Sequence, residues 1–156
     1  MSERAVRTGS AKENELKPEI ERHYPVDTNR QTIFGHSLGG LFVLTALFTK
    51  PCAFQTYIAG SPSIYWNERS LLAMERAFEA QLTGDRPVRL QMTIGELENA
   101  AGSFDGFRTE AMASRLSALG SSRLSVEFKE FRDESHISVL PVLVSQGIRF
   151  AMKNPL

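Results

Sequence analysis

The chain has 156 residues, of which 42% are hydrophobic and 23% charged, the composition of a globular domain that can bury a core. Its 18 basic residues balance 18 acidic ones, which excludes the one-sided electrostatic field that attracts nucleic acid or an anionic membrane surface. The apolar stretch at residues 41–48 is far shorter than the roughly 20 residues that cross a bilayer. We therefore expect no nucleic-acid partner and no membrane partner.

The N-terminus and the cysteine content set two further limits. No apolar segment follows the charged residues of the N-terminus, so it does not resemble a signal peptide, and we expect a cytoplasmic location. A single cysteine, Cys52, rules out an intrachain disulfide and any metal site built from a cysteine cluster. We expect the chemistry of this chain to need neither a metal nor an organic cofactor.

The first predicted element is an amphipathic helix. Residues 1–13 are polar, mixed in charge and without periodicity, which predicts a loose lead-in. Apolar side chains then recur at every fourth position at Leu16, Ile20 and Tyr24, and a proline ends the run. We therefore expect one helix here, and a single domain over residues 14–156.

A strand, a tight turn and a helix are predicted next. The β-prone residues 31–34 lead directly into the sequence Gly-His-Ser-Leu-Gly-Gly at residues 35–40. The apolar residues 41–48 then continue as a buried helix, which Pro51 closes. This order places the glycine-rich turn where a strand passes into a helix.

The rest of the chain repeats this alternation of strands and helices. Predicted strands cover residues 55–59, 88–94 and 124–131; predicted helices cover 71–82, 109–119 and 139–152; a loop is expected from 95 to about 108. Alternating strands and helices of these lengths indicate an α/β fold with a parallel sheet. We therefore predict a three-layer structure with about four parallel strands flanked by helices.

The turn at residues 35–40 contains the pattern Gly-x-Ser-x-Gly, with Ser37 at its centre. A sharp strand-to-helix turn of this kind lifts a serine hydroxyl above the carboxyl end of a sheet, and it requires small residues such as Gly35 and Gly39 on either side. The N–H of Leu38 would then point from a helix N-terminus toward a forming oxyanion. The pattern predicts that Ser37 is a nucleophile; the alternative is a serine N-cap in a glycine-rich turn.

A serine nucleophile needs a base, and the chain offers three histidines. His136 follows the last predicted strand, at the sheet edge where the carboxyl ends of parallel strands converge, so we predict it as the base. His23 ends a helix, where a cation is favourable, and is expected at the surface. His36 stands beside the nucleophile and is expected to point away from the hydroxyl and to support the turn. The alternative for His136 is a solvated loop histidine.

The third member of such a site is a carboxylate that orients the imidazole. The strand at residues 88–94 delivers Glu96 and Glu98 to the same edge, and we prefer Glu98 because the chain has already turned there. Asp133 and Glu134 lie on the loop of the histidine itself and are expected to be loop charges. The order serine, acid, histidine is the order of the α/β-hydrolases.

These motifs, with the Ser-Pro-Ser-Ile-Tyr-Trp-Asn stretch at 61–67, resemble the putative esterase family of α/β-hydrolases over residues 14–152. More narrowly, they resemble its siderophore-esterase branch, which hydrolyses enterobactin- and salmochelin-type trilactone esters. The resemblance implies an acyl-enzyme mechanism and assigns the residues as follows: Ser37 as nucleophile, His136 as base, Glu98 as acid, Leu38 as an oxyanion donor, and Ser63, Tyr65 and Trp66 near the substrate. The two rings would suit planar acyl groups, or alternatively pack over the end of the sheet.

The chain also departs from that family, whose members are substantially longer. The resemblance therefore implies the C-terminal half of an α/β-hydrolase fold, without the strands that would supply a second oxyanion N–H and would cover the edge at residues 32–34. Unpaired strand edges tend to associate, so we expect a homodimer or other self-association through this edge. The alternative to a serine esterase is a catalytically impaired hydrolase remnant that acts only as a structural or association module.

Overall fold

The computed structural model describes residues 15–82, 87–100 and 105–153. The predicted lead-in at residues 1–13 lies outside them, and the domain boundary at residue 14 stays a prediction. The strands are β1 (Thr32–His36), β2 (Thr56–Gly60), β3 (Val88–Gly95) and β4 (Leu124–Phe131). The α-helices are α1 (Lys17–His23), α2 (Leu38–Thr49), α3 (Glu68–Phe78), α4 (Glu96–Ala100), α5 (Asp105–Ala118) and α6 (Leu140–Met152). Short 3₁₀ turns occupy Ile64–Asn67 and Glu79–Gln81.

Within this part of the chain, four strands form one parallel sheet in the order β1-β2-β3-β4. Each strand joins the sheet beside its predecessor, after a connection that contains helix in every case. All four carboxyl ends therefore lie at one edge, where the loops after the strands meet. The predicted α/β class, with about four parallel strands and flanking helices, is confirmed.

Two hydrophobic cores lie on opposite faces of the sheet, because consecutive strand residues point to opposite sides. The larger core joins α2, α3 and α5 to one face and includes Leu44, Tyr57 and Met92. The smaller core joins α6 to the other face through Ile58 and Leu143. Helix, sheet and helix form three layers that fix the carboxyl edge of the sheet.

The largest departure from the sequence prediction is at residues 95–108, which were expected to be a loop. Helix α4 begins at Glu96, directly after β3, and α5 begins at Asp105. The two acidic residues in the first turn of α4 interact favourably with the positive end of the helix dipole. Acidic residues are also common in loops, which is why the sequence predicted a loop here. Helix α3 likewise begins earlier than predicted and ends at Phe78, where the chain tightens into a 3₁₀ turn.

Helix α1 forms where the four-residue periodicity predicted it, but none of its residues is buried. Leu16, Ile20 and Tyr24 are all exposed, so the apolar stripe is not part of either core. Among the described helices none is long and apolar enough to cross a membrane. The cytoplasmic location stays a prediction.

Strand β1 forms one of the two edges of the sheet, because within the described chain it pairs with β2 alone; β4, which pairs with β3 alone, forms the other. Phe34 on this strand is 42% exposed. Helix α6 adds three exposed apolar side chains, Val144, Ile148 and Met152. On the helix, Val144 and Ile148 fall on the side opposite Gln146, which bonds Lys129 of β4, so they lie on the side nearer to β1. Met152 points away from the sheet, opposite the buried Leu143 and Gly147. We call Phe34, Val144, Ile148 and the free edge of β1 the β1 edge surface.

Candidate active site

Ser37 lies between the end of β1 and the start of α2 in a strained turn. Its φ of 59° and ψ of −121° belong to a region that side chains other than glycine rarely adopt. Its N–H donates to the carbonyl of Gly60 at 3.0 Å, which ties the turn to β2. A Cβ at Gly35 would lie 2.2 Å from the carbonyl oxygen of Gly39, so the turn requires glycine there. A Cβ at Gly39 would meet no described atom within 4 Å outside the adjoining residues of its own helix, so the described structure does not bear out the expected requirement for a small residue at Gly39.

The hydroxyl of Ser37 makes no helix-capping hydrogen bond, which removes the N-cap alternative. Its Oγ lies 3.0 Å from Nε2 of His136, a residue 99 positions away. His136 follows β4 in the loop that leads to α6, and its ring is part-buried rather than fully solvated. The parallel sheet thus brings together a serine and a histidine that are remote in the sequence.

The other ring nitrogen of His136 meets a buried carboxylate. Nδ1 lies 2.7 Å from Oε2 of Glu98, whose side chain is 5% exposed. Oε1 of the same carboxylate accepts hydrogen bonds from the N–H of Gly95 at 2.8 Å and from the hydroxyl of Ser61 at 2.7 Å. An ionised carboxylate only accepts, so Nδ1 carries the proton, and Nε2 is left to accept from Ser37.

The competing carboxylates lie elsewhere. Glu96 is exposed and accepts the N–H of Asp133 at 2.9 Å. Glu134 accepts the hydroxyl of Ser138, and its carbonyl accepts the N–H of Leu97 at 3.0 Å. The bonds made by the N–H groups of Asp133 and Leu97 join the α4 segment to the loop of His136. The geometry therefore favours Glu98 over Glu96 as the partner of the histidine.

The remaining two histidines lie outside this line of three side chains. His23 is exposed at the end of α1, where its Nδ1 lies 2.8 Å from the carbonyl oxygen of Glu19. The ring of His36 packs against that of His136, with centroids 4.6 Å apart. Burial lowers the pKa of His36, which disfavours a second positive charge beside the base.

The segment expected near the substrate divides into buried and exposed parts. Ser63 is buried, with its Oγ 3.2 Å from Oγ of Ser37. Ile64 packs into the core, whereas Tyr65 and Trp66 are 53% and 65% exposed. The indole N–H of Trp66 donates to the hydroxyl of Tyr65 at 2.8 Å. More than half of each ring is exposed, which does not fit the alternative that these rings pack over the end of the sheet.

Two backbone and side-chain groups complete the site. Leu38 is the first residue of α2, where N–H groups have no acceptor within the helix; that its N–H binds an oxyanion beside Ser37 stays a prediction. Ser61 was not among the residues that the sequence singled out. Its signals in the sequence are its place in the Ser-Pro-Ser stretch that carries the family resemblance and its position directly after β2, at the edge where Glu98 was expected. Across the described ranges no three His, Cys, Asp or Glu side chains form a metal-binding group.

Comparisons with known proteins identify the family of the chain. The model of the family described as Putative esterase matches residues 5–122. The ferri-bacillibactin esterase BesA of Bacillus subtilis is 52% identical over 142 residues, which are 90% of this chain and 49% of the relative. The siderophore enterobactin esterase of Emericella nidulans is 38% identical over 158 residues, with 86% of this chain and 52% of the relative covered.

Solved structures give the same result. The BES protein from Bacillus cereus superposes with a TM-score of 0.89 at 36% identity, over 96% of this chain and 55% of that one. The siderophore hydrolase EstA from Aspergillus nidulans superposes with a TM-score of 0.84 at 35% identity, over 94% and 57% respectively. The chain spans about half the length of the curated relatives it matches. The fold is therefore a partial α/β-hydrolase fold, and the chain belongs to the putative esterase family.

Proposed function

We propose that the protein is a serine carboxylesterase that works through an acyl-enzyme. The observation that carries this proposal is the continuous line from Ser37 Oγ through both ring nitrogens of His136 to Glu98, with contacts of 3.0 and 2.7 Å. A serine hydroxyl is a weak nucleophile alone, and a neutral imidazole within hydrogen-bond distance is the group that activates it. The family supports an ester bond as the target.

The proposed reaction has two halves. Ser37 Oγ bonds to the ester carbonyl carbon while Nε2 of His136 takes the hydroxyl proton, and the Leu38 N–H binds the resulting oxyanion. Collapse breaks the bond to the alcohol, which leaves with the proton from His136. Water then attacks the acyl-enzyme while His136 takes its proton, and the bond from the acyl carbon to Ser37 Oγ breaks as His136 returns that proton to Oγ and the acid leaves. Glu98 stays ionised and stabilises the imidazolium in both halves.

The direct test of the nucleophile is covalent capture. We expect a fluorophosphonate to add one phosphonyl group to the purified protein, located at Ser37 by peptide mass spectrometry. Ser37→Ala should abolish the adduct. An adduct on a different serine, or no adduct on folded protein, contradicts the proposal and favours the catalytically impaired module as the function.

For the substrate we propose a siderophore ester, such as a trilactone with aromatic acyl groups. Relatives named as esterases of ferri-bacillibactin and of enterobactin support this class. On this chain the supporting feature is the pair of exposed rings, Tyr65 and Trp66, which lie two and three residues after Ser63 at the nucleophile. Exposed flat rings can stack on planar acyl groups.

Removing one ring tests this subsite. We expect Trp66→Ala to raise KM by about three- to tenfold for an ester with a planar aromatic acyl group, because one stacking contact is lost. The acetate ester of the same alcohol should change little. Tyr24→Ala, which removes an exposed ring outside the site, is the matched control. Equal losses on both esters would show that Trp66 does not contact the acyl group.

We also propose that the β1 edge surface is covered by self-association. A parallel strand that is unpaired among the described residues and lies beside exposed apolar side chains is a surface that proteins normally cover. We expect sedimentation at tens of micromolar to show a dimer or larger species, and Phe34→Lys to shift it toward monomer. Ile137→Lys replaces an exposed apolar residue in the His136 loop and serves as control. A monodisperse unmodified monomer contradicts this proposal.

A further inference from the structure

The loop from Ser61 to Ser63, which follows β2, contacts both ends of the proposed triad. The N–H of Ser61 donates to the carbonyl of Thr93 on β3 at 2.8 Å, and the N–H of Ser63 donates to the carbonyl of Ser37 at 3.2 Å. The loop is therefore fixed by backbone bonds to the strand that leads to Glu98 and to the turn that holds the nucleophile. Both serine side chains are buried.

Ser61 acts on the acid end. Its hydroxyl and the N–H of Gly95 both donate to Oε1 of Glu98, which leaves Oε2 as the acceptor for His136. Two donors on one oxygen fix the rotation of the carboxylate, and hydrogen bonds to a charged group are about twice as strong as neutral ones. Ser61 holds a φ of 41°, a strained value for serine. A strained φ persists only where surrounding contacts hold the residue in place, so the position of the Ser61 side chain is fixed by its contacts.

Ser63 acts on the nucleophile end, and a proton count gives the direction of its bond. His136 donates from Nδ1 to Glu98, so its Nε2 must accept the single hydroxyl proton of Ser37. The contact between the two serine oxygens at 3.2 Å then requires Ser63 to be the donor. This bond holds the Ser37 side chain in the rotamer that faces the base.

We propose that the Ser61–Ser63 loop positions both ends of the triad, with Ser61 orienting Glu98 and Ser63 orienting Ser37. The inference rests on the proposed serine mechanism. Both serines are positioning residues, since each acts through the triad member that it contacts. Preorganisation of this kind speeds the chemical step without a matching effect on substrate binding.

Variants at Ser61 separate the hydroxyl from the backbone strain. Ser61→Gly removes the donor and relieves the positive φ, whereas Ser61→Ala removes the donor and keeps the strain. We expect both to slow fluorophosphonate labelling of Ser37 by about ten- to hundredfold, the effect of one lost bond to a charged group. We expect Ser63→Ala to slow labelling by about five- to tenfold, the effect of a lost neutral bond. KM for an ester should change less than kcat in all three.

The tautomer of His136 provides a readout that needs no activity. In ¹⁵N spectra at about pH 9, where an unperturbed imidazole is neutral, the unmodified protein should show the proton on Nδ1. Ser61→Gly should shift part of the population to the Nε2–H form, while Ser63→Ala should not. A crystal structure of Ser63→Ala should show Ser37 turned away from Nε2.

The possible failures are distinguishable. Absence of labelling at Ser37 in the unmodified protein overturns the proposed function, and the tautomer spectra and the Ser63→Ala structure still decide the role of the loop. If the unmodified protein is labelled at Ser37, and Ser61→Gly and Ser63→Ala are both labelled within twofold of that rate, the loop proposal is overturned and the proposed function stands. An unchanged His136 tautomer in Ser61→Gly overturns the proposed role of Ser61 in orienting Glu98. An unchanged Ser37 rotamer in Ser63→Ala overturns the proposed role of Ser63 in orienting Ser37.

Discussion

Replacing His136 by alanine is expected to lower kcat for an activated ester by about 10⁴-fold or more. The reason is the 3.0 Å contact between Nε2 and Ser37 Oγ, which no other described side chain nitrogen makes. Without it the hydroxyl keeps its proton and attacks poorly. The measurement is turnover of a chromogenic ester under saturating conditions, with the folded state checked by the melting temperature.

The matched control for this change is His23→Ala, since His23 is an exposed histidine on α1. We expect its turnover to stay within twofold of the unmodified protein. Because a nucleophile and its base act as one unit, adding Ser37→Ala to His136→Ala should cost little more than either change alone. Turnover by His136→Ala within tenfold of the unmodified protein would show that another group is the base.

The second large effect is expected for Glu98→Gln, with a loss of about 10⁴-fold in kcat. The variant keeps the shape of the side chain, but its amide can present a donor toward Nδ1, which favours the wrong tautomer of His136. The change also removes the charge that accepts the hydrogen bonds of Ser61 and Gly95 at Oε1 in the unmodified protein. The same ester assay measures the effect.

Glu96→Gln is the matched control, because Glu96 lies two residues earlier and is exposed at the start of α4. It bonds the backbone of Asp133 rather than the histidine, so turnover should fall less than about threefold. If Glu96→Gln lost more turnover than Glu98→Gln, the assignment of the acid would be reversed.

The sequence allowed the fold class and several element bounds to be predicted, because these depend on local patterns. The strand over residues 124–131 has the predicted limits, since apolar and polar residues alternate along it. Helix α1 also forms as its periodicity indicated, but periodicity reports which face is apolar and not whether anything covers that face. The short helix α4 was missed because its acidic residues match both a helix start and a loop.

The site was predictable where topology alone brings residues together. Ser37, Glu98 and His136 each follow a strand of a parallel sheet, so their convergence follows from strand direction. The contacts of Ser61 and Ser63 were not predictable, because they depend on the exact path of one loop between two strands. No local pattern shows that a serine hydroxyl will face a carboxylate 37 positions away.

The identical order of the strands in the chain and in the sheet has a consequence for synthesis on the ribosome. Strands β1 to β4 become available one after another, and each finds its neighbour already made. The Ser37 turn is complete once β1 and the start of α2 are made, but Glu98 emerges after β3 and His136 only after β4. A nascent chain therefore carries the Ser37 turn without its proposed partners until the loop of His136 has left the ribosomal tunnel, and a product that ends before residue 136 would hold the turn without the proposed base.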